Sequence, residues 1–329
     1  MTNRFCPNFE RCGGCLYLDL NLDDYINKKK NFIHNSFSHE GIDLKLDDFI
    51  LIDFGTRRRA TFAFKKGLVG FNAKKSHQIT PLESCPALIL DLNQVLSSLK
   101  PVLKELNKSG DIFVQKTKFG IDMHIKTSKK EMPSLNERML LAEFANTSIV
   151  NRLYYNDEPI LEKNPSPYPV DLFLQPSKEG EEALINLVLS NITPQDKNII
   201  DLFSGAGTFT TPLLLKGLQV KGYDSASESI LVLKENGIKR DLFRNPLIAS
   251  EFDGIDVVIM DPPRAGAKEQ TKELKKSSVK KIIMISCNPI SAARDAKALL
   301  ENGWHISKAV GVDQFIYTNH TEIMCIFEK

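Results

Sequence analysis

The feature that most constrains this chain is the regular alternation, in its second half, of short apolar runs with amphipathic stretches. Asn198–Phe203, Gln219–Asp224, Ile255–Asp261 and Lys280–Ser286 read as strands. Glu181–Ile192, Thr208–Lys216, Ala226–Asn236 and Ile290–Asn302 read as helices, the second shortened or bent by Pro212. Strands that are apolar throughout and separated by helices predict a parallel sheet covered on both faces, hence a doubly wound, Rossmann-like α/β domain. Two last strands, around Trp304–Val312 and Glu322–Glu328, have no helix between them and read as an antiparallel hairpin on the edge of that sheet.

A chain of 329 residues is too long for one ordinary domain. Glu162-Lys-Asn-Pro-Ser-Pro-Tyr-Pro169 carries three prolines in five residues, and proline fixes φ and removes an amide donor, so this stretch reads as an extended linker and the main boundary. Before it, residues 41–80 and 111–127 alternate like strands with tight turns at Gly67 and Gly120, and residues 88–107 read as a helix, together a smaller α+β domain. The expected division is therefore 1–40, 41–165 and 166–329. Met1–Leu20 lacks a basic stretch followed by a long apolar one, and no apolar run reaches the ~20 residues of a membrane helix, so the expectation is a cytoplasmic protein that does not engage membranes.

Chemistry concentrates at predicted strand ends. In Asp201-Leu-Phe-Ser-Gly-Ala-Gly-Thr-Phe209, Gly205 and Gly207 permit a tight strand-to-helix turn and close approach of a ligand to the backbone. Asp224 ends the next strand, where an acid commonly accepts hydrogen bonds from ribose hydroxyls. Asp261-Pro-Pro-Arg264 makes a rigid corner without free amides, able to hold a flat ring, and nothing in a dehydrogenase demands it. Cys287, in Ser286-Cys-Asn-Pro289, falls at the carboxyl end of a strand on the same edge, whereas Cys325 lies inside a strand and is assigned to packing.

Three of the six cysteines, Cys6, Cys12 and Cys15, fall within the first 15 residues, spaced C-x5-C-x2-C. With the distant Cys85 they make four thiols, a set suited to zinc or to a [4Fe–4S] cluster; a single C-x2-C knuckle favours the cluster. A disulfide framework does not fit so long and cysteine-poor a chain. Net charge is only +2, but residues 51–80 hold Arg57, Arg58, Arg59, Lys65, Lys66, Lys74 and Lys75 against the one acid Asp53, with Phe54, Phe62, Phe64 and Phe71 interleaved. Such a segment can neutralise phosphates and stack bases, or be a hairpin with a solvated basic face and phenylalanines in the core.

Asp201–Phe209, Asp261-Pro-Pro-Arg-Ala-Gly266, Ser286-Cys-Asn-Pro289, Asp313–Glu322 and Phe173-Leu-Gln175 together resemble the RNA uracil-5 methyltransferases, and the N-terminal cysteines resemble the iron–sulfur members of that family, which act mostly on large-subunit ribosomal RNA. The resemblance implies an S-adenosyl-L-methionine-dependent methyltransferase fold. Gln175, Phe203, Asp224 and Asp261 would contact the cofactor or the pyrimidine, Cys287 would be the nucleophile and Glu322 the base. Cys6, Cys12, Cys15 and Cys85 would hold a [4Fe–4S] cluster of structural role. The partner would be RNA, 23S rRNA before transfer RNA, and the enzyme a monomer. Many relatives have Asn where this chain has Thr208 and Ser177, and the segment between Asp224 and Asp241 is short, as if one strand were abbreviated. A cytosine-5 enzyme would carry a second cysteine in Asp261–Arg264, and an amino-group methyltransferase an aromatic after the two prolines; neither is present. A non-catalytic iron–sulfur RNA-binding protein would need neither Cys287 nor Glu322.

Overall fold

The computed structural model describes residues 6–166 and 168–329. Contacts divide the chain into two units: Met1–Asp19, Asp53–Lys178 and Ile316–Thr318 form the first, and Leu20–Ile52, Glu179–Phe315 and Asn319–Lys329 the second. The sequence suggests simple cuts after residues 40 and 165. The division found is discontinuous because α1 (Leu22–Ser38) packs on a late helix of the second unit and β1 (Asp48–Leu51) joins its sheet.

Between residues 53 and 178 the chain builds the first unit. Its strands are β2 (Arg59–Lys65), β3 (Leu68–Asn72), β4 (Ile79–Pro81), β5 (Ser109–Thr117), β6 (Gly120–Thr127), β7 (Val150–Tyr155) and β8 (Glu158–Glu162), and its helices α2 (Leu90–Leu106) and α3 (Leu135–Thr147). They form one sheet of order β4-β3-β2-β5-β6-β7-β8. All pairs are antiparallel except β6 with β7, which α3 connects. The turns expected at Gly67 and Gly120 are present. Lys66 and Gly67 both take positive φ, 48° and 86°, as a two-residue hairpin turn requires. Phe62 and Phe64 on β2 pack with Leu92, Leu96 and Leu103 of α2, so these phenylalanines serve the core and not bases. Ile316–Thr318 belongs here because the Tyr317 carbonyl accepts the amides of Leu16 (2.7 Å) and Tyr17 (3.2 Å).

The proline stretch is not a free linker. Arg152 Nη1 donates to the Tyr168 carbonyl (2.7 Å), Gln115 Nε2 to that of Val170 (3.2 Å) and Arg59 Nη1 to that of Leu174 (2.8 Å), so the segment is strapped onto the first unit. Pro167 lies outside the described residues.

The second unit continues with α4 (Lys178–Ser190), β9 (Asn198–Leu202), α5 (Thr210–Leu215), β10 (Gln219–Asp224), α6 (Ser227–Leu231), β11 (Gly237–Lys239), β12 (Val257–Met260), α7 (Lys268–Leu274), β13 (Lys281–Ser286), α8 (Pro289–Leu300), β14 (His305–Asp313) and β15 (Glu322–Glu328). The abbreviated strand is β11, three residues long. The sheet order is β1-β14-β15-β13-β12-β9-β10-β11, parallel except for β15, which runs antiparallel to both neighbours. β13 shows why the strands are apolar throughout: Ile282 and Met284 join one core with α1 and α8, while Ile283 and Ile285 join the other with α4 and α5. The hairpin expected at the sheet edge is inside the sheet. β15 is buried along nearly its whole length between β13 and β14, and β1 covers the far side of β14. No helix among the described residues is long and apolar enough to cross a membrane.

Candidate active site

Register alone brings the sequence motifs of the second unit to one edge. Across β10, β9, β12 and β13 the pairs Tyr223↔Leu202, Leu202↔Met260 and Met260↔Met284 align the strands, so Asp224, Phe203 and Asp261 leave the sheet side by side. β13 runs two residues further, and Ser286 pairs with Ile323 of antiparallel β15. The next step on each strand is Cys287 and Glu322, which therefore face one another across the sheet.

The glycine turn is built from strained backbone and bracing acids. Phe203 takes φ 61°, a left-handed conformation costly for an aromatic residue and typical of functional turns. Gly205 (φ 53°) donates its amide to Asp224 Oδ2 (3.0 Å), and Ala226 donates to Oδ1 (2.9 Å), so Asp224 holds the turn as well as ending its strand. Gly207 takes φ 89°, a conformation strained for any side chain, and a Cβ there would stand 2.4 Å from Leu233 Cδ2 and displace it. Asp201 accepts both the amide (3.0 Å) and hydroxyl (2.6 Å) of Thr210, fixing the start of α5. Its other oxygen has no hydrogen-bond partner among the described residues, and burial, helped by the charge of Asp224, pushes its pKa up to about 7. The Phe203 ring lies against the half-exposed Phe243, centroids 5.4 Å apart.

α8 holds the other two loops. Asn288 caps its N-terminus, accepting the Ile290 amide, and donates Nδ2 to the Arg264 carbonyl (2.9 Å). Arg294 donates to the Ala265 carbonyl (3.0 Å), and Asp295 accepts the Ala267 amide (2.7 Å). The proline corner and the cysteine turn are thus tied together. Cys287 is half-buried, and its thiol is pushed up to about 11 by burial and by the charges of Glu322 and Asp261, against a lowering influence of Arg264. Glu322 is 2% exposed, and burial raises its pKa to about 7. Gln314 Nε2 donates to Glu322 Oε1 (3.0 Å); Glu322 Oε2 has no hydrogen-bond partner among the described residues. Cys325, paired with Met284 and Ala309, is a core residue as expected.

Sequence reasoning missed Gln314, the bracing role of Asp201, and a buried cluster behind the β14–β15 loop. There Lys29 Nζ of α1 donates to Asp313 Oδ1 (3.0 Å) and to the His320 carbonyl, and the Tyr25 hydroxyl donates to Asp313 Oδ2. Gln314 sits within Asp313–Glu322, a stretch the sequence does mark; Lys29 and Tyr25 carry no local signal.

The remaining predicted residues lie in the first unit. Gln175 is buried, and its carbonyl accepts Arg58 Nε (3.0 Å). Arg57 Nε donates to the Arg59 carbonyl (3.1 Å), and the Arg59 guanidinium lies 4.5 Å over the Phe173 ring. All three arginines are half-buried, and Arg58 and Arg59 clasp the strap, so the triplet is not the solvated phosphate-binding face the sequence suggested; Lys65, Lys66, Lys74 and Lys75 are exposed. Cys12 bridges to Ala73, and its sulfur accepts the Gly14 amide (3.4 Å). Asn93 clamps the Cys85 loop by accepting the Cys85 amide (2.7 Å) and donating to its carbonyl (3.0 Å). Burial, then Cys85, Cys12 and Cys6, push the Cys15 thiol up to about 12; burial, then Cys6 and Cys12 among the charges, push Cys85 up to about 11. Among the described residues no group of three or more His, Cys, Asp or Glu stands as a metal-binding set, and the expected cluster is not shown.

Comparison with known proteins completes the picture. The family described as tRNA (uracil-5-)-methyltransferase matches residues 225–329, the span holding Asp261, Cys287 and Glu322. A protein of Agrobacterium fabrum described as an RNA methyltransferase is 33% identical, over 97% of this chain and 82% of its own. A 23S rRNA (uracil(1939)-C(5))-methyltransferase of Vibrio parahaemolyticus is 28% identical, over 99% and 82%. Among solved structures, the Pyrococcus abyssi tRNA (uracil-54, C5)-methyltransferase in complex with S-adenosyl-L-homocysteine superposes with a TM-score of 0.74 at 21% identity, covering 96% of this chain and 86% of that one, and so shares the fold. With its strand-end motifs gathered on one edge and a relative matching along nearly its whole length, the chain belongs to the family of RNA uracil-5 methyltransferases.

Proposed function

We propose that this enzyme methylates carbon 5 of a uridine in 23S rRNA, with Cys287 as nucleophile and Glu322 as base. The observation that carries the assignment is their placement one step beyond the Ser286↔Ile323 pair, a thiol facing a buried carboxylate whose pKa lies near neutrality. Carbon 5 of uracil is a poor nucleophile. Ionised Cys287 adds to carbon 6, and the ring electrons move to the carbonyl as an enolate. Carbon 5 is then nucleophilic and takes its methyl group from S-adenosyl-L-methionine. The saturated ring still carries sulfur on carbon 6 and a proton on carbon 5. Glu322 removes that proton, the 5,6 double bond re-forms, and the carbon–sulfur bond breaks to return the thiolate. Asp224 and Phe203, at the glycine turn, would hold the cofactor, and Asp261 at its proline corner the pyrimidine. A general base with a pKa near the working pH is matched to its task.

The same reading gives Cys6, Cys12, Cys15 and Cys85 a [4Fe–4S] cluster. Its support is electrostatic: neighbouring cysteines, Cys6 among them, raise the pKa of Cys12, Cys15 and Cys85, which together hold too much potential negative charge to ionise without a cation. The cluster would pin the N-terminal segment to the Cys85 loop beside exposed Lys74 and Lys75, shaping a surface for RNA. Ribosomal RNA as substrate is favoured by the Vibrio relative. The enzyme would act in the cytoplasm as a monomer.

The decisive experiment is Glu322→Gln, which keeps the shape and removes the basicity. The variant should methylate its RNA once and stay attached, giving a protein–RNA band on denaturing gels that carries the methyl group and needs Cys287. Turnover at the native rate without adduct would remove Glu322 from the mechanism. Mass spectrometry of ribosomal and transfer RNA from a strain lacking the protein identifies the substrate.

A further inference from the structure

The buried polar groups behind the β14–β15 loop have no part in the steps above. Asp313 ends β14 and Glu322 begins β15, so the loop between them determines where the carboxylate sits. One ammonium, Lys29 Nζ, reaches both ends of that loop, at Asp313 Oδ1 and at the His320 carbonyl. Tyr25, one turn earlier on α1, donates to the second oxygen of Asp313. Lys29 is 2% exposed and Asp313 0%. A buried ion pair is an expensive way to gain stability, since apolar groups of the same volume often do better; what it adds is one defined geometry. α1 is itself anchored, with Ile33 and Phe37 in the same core as Ala292, Ala296 and Leu299 of α8. The residue after Asp313 is Gln314, whose Nε2 holds Glu322 Oε1 and leaves Oε2 without a partner among the described residues. A carboxylate that must receive a proton from carbon is best held by one oxygen with the other open.

We propose that Gln314, set in place by the Tyr25–Lys29–Asp313 cluster, is a positioning residue for the last step of the reaction, fixing one oxygen of Glu322 so that the other faces the carbon-5 proton. Gln314 has no basicity, so it takes no proton itself. Its amide donates to the ionised carboxylate, favouring that form and orienting it. Lys29 and Asp313 act one bond further back, through the loop. The inference rests on Glu322 being the base. It separates the two halves of the reaction: cysteine addition and methyl transfer need no base at position 322, whereas release does.

The test uses the purified full-length enzyme and an RNA substrate in single turnover, following the rate at which the methyl group enters RNA and the rate at which the covalent adduct disappears. Gln314→Met keeps the volume and removes the donor, leaving the Glu322 carboxylate without that hydrogen bond. Methyl entry should stay within about threefold of native while release slows roughly 10- to 100-fold, and the pH at which release is half-maximal should rise, because the ionised carboxylate has lost a donor. Lys29→Met combined with Asp313→Asn removes both charges together and should slow release in the same direction by about 3- to 10-fold, with methyl entry spared. Equal slowing of both steps, or no change in either, overturns the proposal. Glu322→Gln run alongside keeps the two ideas apart. If it traps no adduct, the base assignment has failed; if it traps adduct while Gln314→Met releases at the native rate and pH, only the positioning role has.

Discussion

Two regions of this protein hold thiols that the fold keeps protonated, and they do so by different means. At the N-terminal cysteines burial comes first, and the second influence on Cys15 is other cysteines. At the proposed catalytic edge burial again comes first, but the second influence on Cys287 is two carboxylates, Glu322 and Asp261, with Arg264 opposing. Thiols that crowd one another gain only from an external cation shared among them. A thiol facing carboxylates beside a guanidinium can ionise transiently and leave again, which a nucleophile must do. The first arrangement suits a permanent ligand set and the second a covalent intermediate.

The comparison breaks if the two kinds of cysteine behave alike on replacement. Cys287→Ala should abolish methylation, by roughly 10,000-fold or more, as loss of a nucleophile does, while leaving iron content and thermal stability unchanged. Cys85→Ala should do the reverse: iron falls from about four atoms per chain in anaerobically purified protein. Melting should drop by about 5–15 °C, corresponding to a few kcal/mol in a chain of this size. Stoichiometric zinc without iron in the native protein would replace the cluster by a zinc site; iron lost equally in Cys287→Ala would collapse the distinction.

A second contrast sharpens the catalytic region. Asp201 and Glu322 are both fully buried carboxyls with pKa near 7, against about 4 when unfolded. Each keeps its proton in the folded chain at pH values where the unfolded chain has lost it. The resulting support for folding is complete below about pH 4 and lost as pH rises through 7. Each therefore costs about 3–4 kcal/mol above pH 7. Asp201→Asn and Glu322→Gln should both flatten the decline of stability between pH 5 and 8, measured by denaturant unfolding. Only Glu322→Gln should trap RNA, because the accepting oxygen of Asp201 serves Thr210 at the turn. Trapping by both variants would make the pKa, and not the placement beside Cys287, the thing that matters.

Much of this site was legible because local pattern and function coincide at strand ends. The apolar runs of β9, β10, β12 and β13 announce a parallel sheet, and in such a sheet Phe203, Asp224, Asp261 and Cys287 must share an edge. What was not legible depends on partners distant in sequence. The place of β14 inside the sheet rests on β1, from the far end of the chain, taking the outer edge beside it. Lys29 reads as one more lysine in Lys28-Lys-Lys30 until Asp313 and His320 close over it. The arginine triplet looks like a basic face because sequence shows charge and not the carbonyls of Leu174 and Gln175 that occupy it.

That last correction yields the smallest predicted effect and the one that bears on RNA. Lys74 and Lys75 sit on the segment that meets the cysteine region: Lys74 donates its amide to the Arg11 carbonyl (2.9 Å), its ammonium lies 4.3 Å from the Phe9 ring centroid, and its charge lowers the Cys12 pKa. If the cysteine region shapes a surface for RNA, these exposed lysines meet phosphates and the arginines do not. Lys74→Ala with Lys75→Ala should then weaken RNA binding a few-fold at low salt and flatten the plot of log affinity against log salt by up to about 0.7–0.9 for each phosphate no longer neutralised. Arg58→Ala with Arg59→Ala should leave that slope unchanged and lower the melting temperature instead, since it unfastens Leu174 and Gln175 and removes the guanidinium from Phe173. A slope that responds to the arginines and not to the lysines would mean that the strap opens to bind RNA, and the first unit's basic segment would regain the role its composition suggests.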